Sequence, residues 1–294
     1  MNKKISFVNQ IEHEGFLKNA LAVHGSVSPR VIKKVIVVFF YSCVASIINS
    51  IYPSVYLPIG PFEYAGLVMG LILVFRVNAG YDRWWEARKL WGNIVNHCRN
   101  LVIIIENYLQ TGDTKEKSRV INYVAAMPFL VKNNLRGDNS CDDVKHLVGE
   151  LDLLKIMRSD NEPVVLSSMI AHALNHFRTQ NQLDSFAFFR AEETRGLILD
   201  CHGACERILK TPIPFVMAIK SRRFIFLFLM ALPFATVTTS LYITPIITGL
   251  VAYALFSLDQ IGVELQNPFS ESSLSHLPLS DICLNIEKNI LEIR

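Results

Sequence analysis

Charge is scarce in this chain. Asp, Glu, Lys and Arg make up 19% of its 294 residues and apolar residues 51%, whereas soluble domains carry roughly a quarter charged residues. Mean hydropathy is +0.29, so the balance leans toward a membrane. A net charge of +3 without a basic stripe argues against nucleic acid as a partner. A secretory leader is also missing: residues 1–30 mix Lys3, Lys4, Glu12, Glu14, Lys18 and Arg30 with no continuous apolar core. The N-terminus is therefore expected to stay intact in the cytosol. The six cysteines are scattered, mostly in segments assigned below to the reducing side, so no disulfide framework is expected. Phosphate-binding Gly-rich loops and Gly-x-Ser-x-Gly elbows are absent, strand-like alternation is rare, and there is no internal repeat or low-complexity tract.

What the chain does have is long uncharged runs. Val35–Phe62 contains no Asp, Glu, Lys or Arg, and after Glu63 another such run covers Tyr64–Phe75. A second block, Phe224–Leu258, spans 35 uncharged residues. A spanning helix needs roughly 20 mainly apolar residues, with about 17 as the lower limit. Pro53, Pro58, Gly60 and Pro61 split the first region into helices Val31–Tyr52 and Phe62–Val77. In the second, a turn near Ser240–Tyr242 precedes a return helix begun by Pro245, where a missing N–H costs little. Pro233 predicts a kink in the helix before that turn.

Loop charges orient the segments. Neither outer connection, Pro53–Pro61 or Thr239–Thr244, carries Lys or Arg. The opposite ends carry Arg30, Lys33 and Lys34, then Arg76 and Arg83, then Lys220, Arg222 and Arg223. By the positive-inside rule both termini and the middle of the chain are cytoplasmic, in a multi-pass protein of the cell membrane. The fold class is an all-α membrane protein: four transmembrane helices as two hairpins plus a helical cytosolic domain. The segments are a cytosolic 1–30, membrane helices in 31–77, a cytosolic helical region 78–220, membrane helices in 221–258 and a cytosolic 259–294.

In the middle region, Glu86, Arg88, Lys89, Arg99 and Glu106 interleave with Leu90, Trp91, Ile94, Leu101 and Ile105, which predicts an amphipathic helix continuing from the second span to Gly112–Asp113. Further helices are expected at Lys115–Lys132, Ser140–Arg158, Pro163–Gln180 and Ser185–Lys210.

Chemistry is thin. Cys201 and Cys205 share a helical face with His202 beside them, but two thiols and a misdirected imidazole fall short of a closed zinc site. His172 and His176 are four apart without the Glu of a zinc protease. Glu192–Glu193 and Asp142–Asp143 lie in solvated runs. Neither a catalytic residue nor a metal or cofactor is expected, and the enzyme reading is the weakest.

The second span is more suggestive. Leu67, Leu71 and Phe75 recur every four residues, about 6 Å apart along a helix. Beside them Gly66 and Gly70 form a small-xxx-small pair that lets helices approach closely. A ring of such helices would stack apolar collars of the kind that gate by dewetting. The same stripe in a lone helix would simply face lipid or pack.

The run Phe75-Arg76-Val77-Asn78-Ala79-Gly80-Tyr81-Asp82-Arg83-Trp84-Trp85-Glu86-Ala87-Arg88-Lys89-Leu90-Trp91-Gly92 resembles the bestrophin signature, particularly its prokaryotic branch. His24-Gly25-Ser26, Pro212-Ile213-Pro214-Phe215, Asp259, Glu264 and Asn267-Pro268-Phe269 follow in the family's order. The resemblance implies a homopentameric channel for small monovalent ions in the lipid bilayer. Its pore neck would fall on Leu67, Leu71 and Phe75, and a lower cytosolic constriction on Phe186. Phe186 reads equally as a core aromatic of Phe186-Ala187-Phe188-Phe189.

Two departures from the family stand out. Animal members bind calcium through an acidic run after Asn-Pro-Phe; here Ser270–His276 holds one carboxylate, Glu271, so calcium independence is expected. The neck has two aliphatic collars and one aromatic. Chloride is the family expectation, and a monovalent cation such as sodium stays open, because Leu lacks the positive ring edge that Phe offers an anion. Arg83, Trp84 and Trp85 read as anchors where the pore helix leaves the bilayer. The competing function is a non-conducting membrane scaffold or sensor whose cytosolic helices bind a partner.

Overall fold

Helix breakers and caps set the elements of the computed structural model, which describes residues 15–23, 25–238 and 240–293, without the side chains of Phe16 and Asn19. His24 of the His-Gly-Ser motif and residues 1–14 of the expected cytosolic segment lie outside the described residues. Among the described residues the elements are helical: α1 (Phe16–Ala20), α2 (Ser28–Ile51), α3 (Gly60–Tyr108), α4 (Thr114–Arg136), a 3-10 turn (Asp142–Val144), α5 (Glu150–Met157), α6 (Glu162–Thr179), α7 (Ser185–Lys210), α8 (Phe215–Thr236), α9 (Thr244–Glu264) and α10 (Leu279–Ile293).

Two compact units result. The first holds residues to Gly80 together with Ile213–Glu264, and the second Tyr81–Pro212 with Leu265–Arg294. Helix α3 contributes its residues up to Gly80 to the first unit and those from Tyr81 to the second.

In the first unit α2 packs on α9 through small residues. Ser42, Ala45 and Ser46 are buried on α2, and Thr248, Gly249 and Ala252 on α9. Ser42 and Thr248 hydroxyls are 3.2 Å apart, and a Cβ on Gly249 would stand 3.4 Å from Phe39 Cδ2. Small faces with a polar crossing suit helices that associate where the hydrophobic effect gives no help. Met69, Leu73, Ile225, Leu229 and Leu255 complete this core.

Length and composition qualify α2, α3 and α9 as membrane-spanning, three helices among the described residues. The expected third span, α8, carries Lys220, Arg222 and Arg223 in its first half, leaving Phe224–Thr236 uncharged within the helix. That is about 20 Å of apolar helix, short of a roughly 30 Å hydrocarbon core.

The second unit is built on a core of Trp91, Ile94, Leu101 and Ile105 from α3 against Val124, Met127 and Leu130 of α4, with Ile156, Leu166, Ile198 and Ile286 from other helices. Asp113 caps α4, accepting from the backbone N–H of Lys115 at 2.9 Å and Glu116 at 3.1 Å. Gly137, at φ +68°, closes it in the left-handed region that glycine alone enters freely. Asp184 caps α7 in the same way, 2.8 Å from Phe186 N, and α7 has the bounds its pattern predicts.

The sequence expectation of one helix over Ser140–Arg158 does not hold. Gly149 is extended at ψ 151°, breaking the segment into the 3-10 turn and α5, while Val144, Leu147 and Val148 bury against the core. The long amphipathic helix stops at Tyr108, and α10 arises in a tail for which no helix was expected.

His202 is buried in this unit, its Nε2 donating to Asn134 Oδ1 at 3.1 Å. Burial lowers its pKa below the ordinary 6.5, against a smaller opposite pull from Glu206. The folded state then binds fewer protons than the unfolded one. The corresponding stability is present above about pH 6.5 and drains away as pH falls below it. Thermal unfolding of the purified protein should therefore show a lower Tm at pH 5.5 than at pH 7.5, with a smaller drop in His202→Gln; an equal drop in both contradicts this assignment.

Candidate functional site

Helix α3 presents two faces in the first unit. Met69, Leu73 and Arg76 are buried at 4%, 1% and 2% exposure. On the other side Leu67, Leu71 and Phe75 are left uncovered by the chain at 75%, 55% and 60%. The three predicted collar residues thus share one open stripe. Asn78, also exposed, follows Phe75 on the same side, about 20° around the helix from Leu67. It is a polar end to the apolar stripe that the sequence reading passed over, though the helical period would have found it. The two glycines divide: Gly66 stands against the Phe228 ring of α8, 3.6 Å from a notional Cβ, while Gly70 has no neighbour within 4 Å.

The buried face of α3 is fastened by charge. Arg76 Nη1 bonds the Asp259 carboxylate of α9, and Arg222 of α8 reaches the other Asp259 oxygen from Nε at 3.3 Å. Gly262 packs along the same side chain, where a Cβ would touch Arg76 Cγ at 3.4 Å. Nε and Nη2 of Arg76 are buried without a protein partner among the described residues. A second pair joins Arg30 to Glu264, which also accepts from Gln260 at 2.6 Å. Sequence reading singled out Asp259 and Glu264 only as motif matches. Their partners are 183 and 234 residues distant in sequence, so no spacing signal could have paired them.

In the second unit, Arg83 donates to the carbonyls of Ile208, Thr211 and Gln266, closing the C-terminal end of α7. Trp84 Nε1 donates to Ser275 O at 2.7 Å. Trp85 stays half-exposed and lies parallel to Tyr81, with centroids 6.5 Å apart. Phe186 is 88% exposed and Phe189 70%, because the α7 period sends Ala187, Ala191 and Ile198 inward. Phe186 is therefore not a core aromatic of this chain.

The tail after Asn267 is folded by that side chain, whose Oδ1 accepts from Phe269 N and Ser270 N. Glu271 is paired with Arg136 at 2.6 Å, and Lys132 and Arg136 line the same hollow. Among the described residues no group of three or more His, Cys, Asp or Glu could hold a metal ion. Cys205 is buried, with its thiol pushed up to about 12 by burial, and Cys201 is also raised. Such thiols are poor ligands and poor nucleophiles at neutral pH.

An all-helical chain with spanning helices, a charged clasp inside them and an uncovered apolar stripe belongs to the class of helical membrane proteins. The family model for Bacterial/Fungal Bestrophin protein matches residues 9–292, and the chain belongs to that family. A voltage-dependent anion channel-forming protein of Nostoc sp. is 32% identical over 92% of this chain and 89% of its own length. One from Synechocystis sp. is 31% identical over 92% and 88%. Among solved structures, a bacterial bestrophin homolog from Klebsiella pneumoniae superposes with TM-score 0.84 at 27% identity, covering 90% of this chain and 98% of that one.

The clasp carries a stability prediction. Removing one member of a buried ion pair strands the other, at a cost of about 3–5 kcal/mol. Asp259→Asn should lower thermal stability in detergent by that order, and Arg76→Met combined with Asp259→Leu should recover much of it. An unchanged Tm in Asp259→Asn would show that the pair does not hold the helices.

Proposed function

We propose that this chain is one subunit of a membrane channel that passes small anions through an axial pore lined by α3. The observation that carries the reading is the stripe Leu67, Leu71 and Phe75, left open by its own chain on the face opposite the Arg76 clasp. Repeated around an axis, it forms three apolar collars that a hydrated ion crosses only when the constriction wets. The names of the relatives from Nostoc and Synechocystis support anions as the cargo. The single aromatic collar, Phe75, is the ring whose edge can meet an anion.

The finer assignments follow from the same reading. The assembly is a homopentamer, with 31–77 and 221–258 as its membrane part, including α8 as a short fourth span, and both termini cytoplasmic. Segments 1–30, 78–220 and 259–294 lie on the cytosolic side. Phe186 forms a second, cytosolic constriction. Gly66 lets α8 approach α3, and Gly70 serves a helix of another subunit. Arg83 and Trp84 hold local structure, with Trp85 left for the interface. The channel works without calcium, because Glu271 is the one carboxylate of Ser270–His276 and is occupied by Arg136, whereas a calcium ion wants six to eight oxygens. It is a passive conductor and not an enzyme.

Leu71→Ala should raise ion flux in proteoliposomes by up to about tenfold. A barrier lower by about 1.4 kcal/mol, less than the burial worth of one Leu, is tenfold in rate. Flux that is absent in both proteins, or identical, favours the non-conducting scaffold. In asymmetric NaCl and KCl the reversal potential should follow chloride; one that follows sodium or potassium would assign a cation channel. Mass measurement in detergent should give five subunits, and flux should be equal in chelator and in micromolar calcium.

A further inference from the structure

On the first unit α2 and α8 leave a groove of about 490 Å³, within the roughly 300–1,000 Å³ of small-molecule sites. Its walls are apolar: Val37 and Val38 from α2, Ile225, Phe226 and Leu229 from α8. One end is shut by Tyr41, whose hydroxyl donates to Met230 O at 2.7 Å. The other end is marked by Lys34 and Arg222, seven residues and about 10 Å along α2 from Tyr41.

The charges there are not balanced within the chain. Lys34 has no acidic partner among the described residues; its ammonium lies 5.9 Å from the Phe256 ring centroid, a distance at which a cation is still attracted to the ring face. Arg222 gives Nε to Asp259 at 3.3 Å and keeps a half-exposed guanidinium. Asp259, the acid in the groove lining, is already claimed by Arg76. An apolar slot headed by two cations complements a molecule with an anionic head and a hydrocarbon tail. The cytoplasmic leaflet, to which positive loops point, is rich in anionic lipid.

We infer that the α2–α8 groove is a binding site for an anionic phospholipid of the cytoplasmic leaflet, with one acyl chain between Val37 and Phe226 and the phosphate on Lys34 and Arg222. Because Arg222 also holds Asp259, the headgroup would touch the clasp that fixes α3. The site rests on the membrane placement of α2 and α8 and not on ion conduction.

The test uses the full-length protein in detergent and phosphatidylglycerol carrying a diazirine in one acyl chain. Labelling is expected on the peptides of Val37 and Phe226, competed by unlabelled phosphatidylglycerol at lower concentration than by phosphatidylcholine. Lys34→Gln should weaken the phosphatidylglycerol competition about fivefold, the worth of one cation near a headgroup. Val37→Trp, which fills the slot and keeps both charges, should abolish the labelling. Equal competition by the two lipids, labelling unchanged in Val37→Trp, or inorganic phosphate competing as well as the lipid would each overturn the assignment. So would chain-to-chain cross-links from a photoreactive group at position 37, which would give the groove to a second copy. Ion flux is no part of this readout, so a non-conducting protein leaves the test intact.

Discussion

The bond between Arg76 and Asp259 is the constraint on which the first unit depends. Ions in such surroundings are costly unless matched, and removing one partner is far worse than removing both. Here a guanidinium on α3, a carboxylate on α9 and a second guanidinium on α8 meet at one carboxyl group. Three helices from opposite ends of the sequence are thereby fixed in rotation as well as in position. Gly262 lies along the Arg76 stem, where a Cβ would come into van der Waals contact with Arg76 Cγ at 3.4 Å.

Fixing the rotation of α3 decides what its other face does. With Arg76, Leu73 and Met69 turned inward, the 3.6-residue period leaves Leu67, Leu71 and Phe75 outside. Neighbouring helices of the same chain could have covered them and do not. Large apolar residues uncovered on one face mark a surface meant for lipid or for another copy, and Phe186 and Phe189 repeat the pattern in the second unit. In the channel reading the clasp and the collars are two consequences of one helical register.

Much of this was legible in the sequence, for identifiable reasons. Uncharged runs and prolines located α2, the start of α3 and α9, because transfer cost acts on every residue in turn. The helical pattern bounded by polar turns located α7, and the stripe at 67, 71 and 75 followed from period alone. The Ser140–Arg158 segment was misread because Val144, Leu147 and Val148 mimic a helical face, whereas Gly149 and core burial dictate a break. The signal for α10 is the period of Leu279, Cys283, Ile286 and Ile290, which lies beyond the Asn-Pro-Phe motif. The Arg76 partnership was out of reach, since contacts made across 183 residues leave no local signature.

The tail after α9 is ordered by contacts made within the chain. Asn267 folds the turn through its side-chain oxygen. That geometry would present the following residues as a row of oxygens if they were acidic. Here serines occupy most of the row, and its one carboxylate meets Arg136, which also donates to Phe269 O at 3.2 Å and Ser280 Oγ at 3.2 Å. A guanidinium is a permanent cation whose planar fork matches a carboxylate, and Arg136 brings that charge to Glu271 from within the chain. In the calcium-independent channel proposed above, these contacts within the chain order the turn in place of an ion.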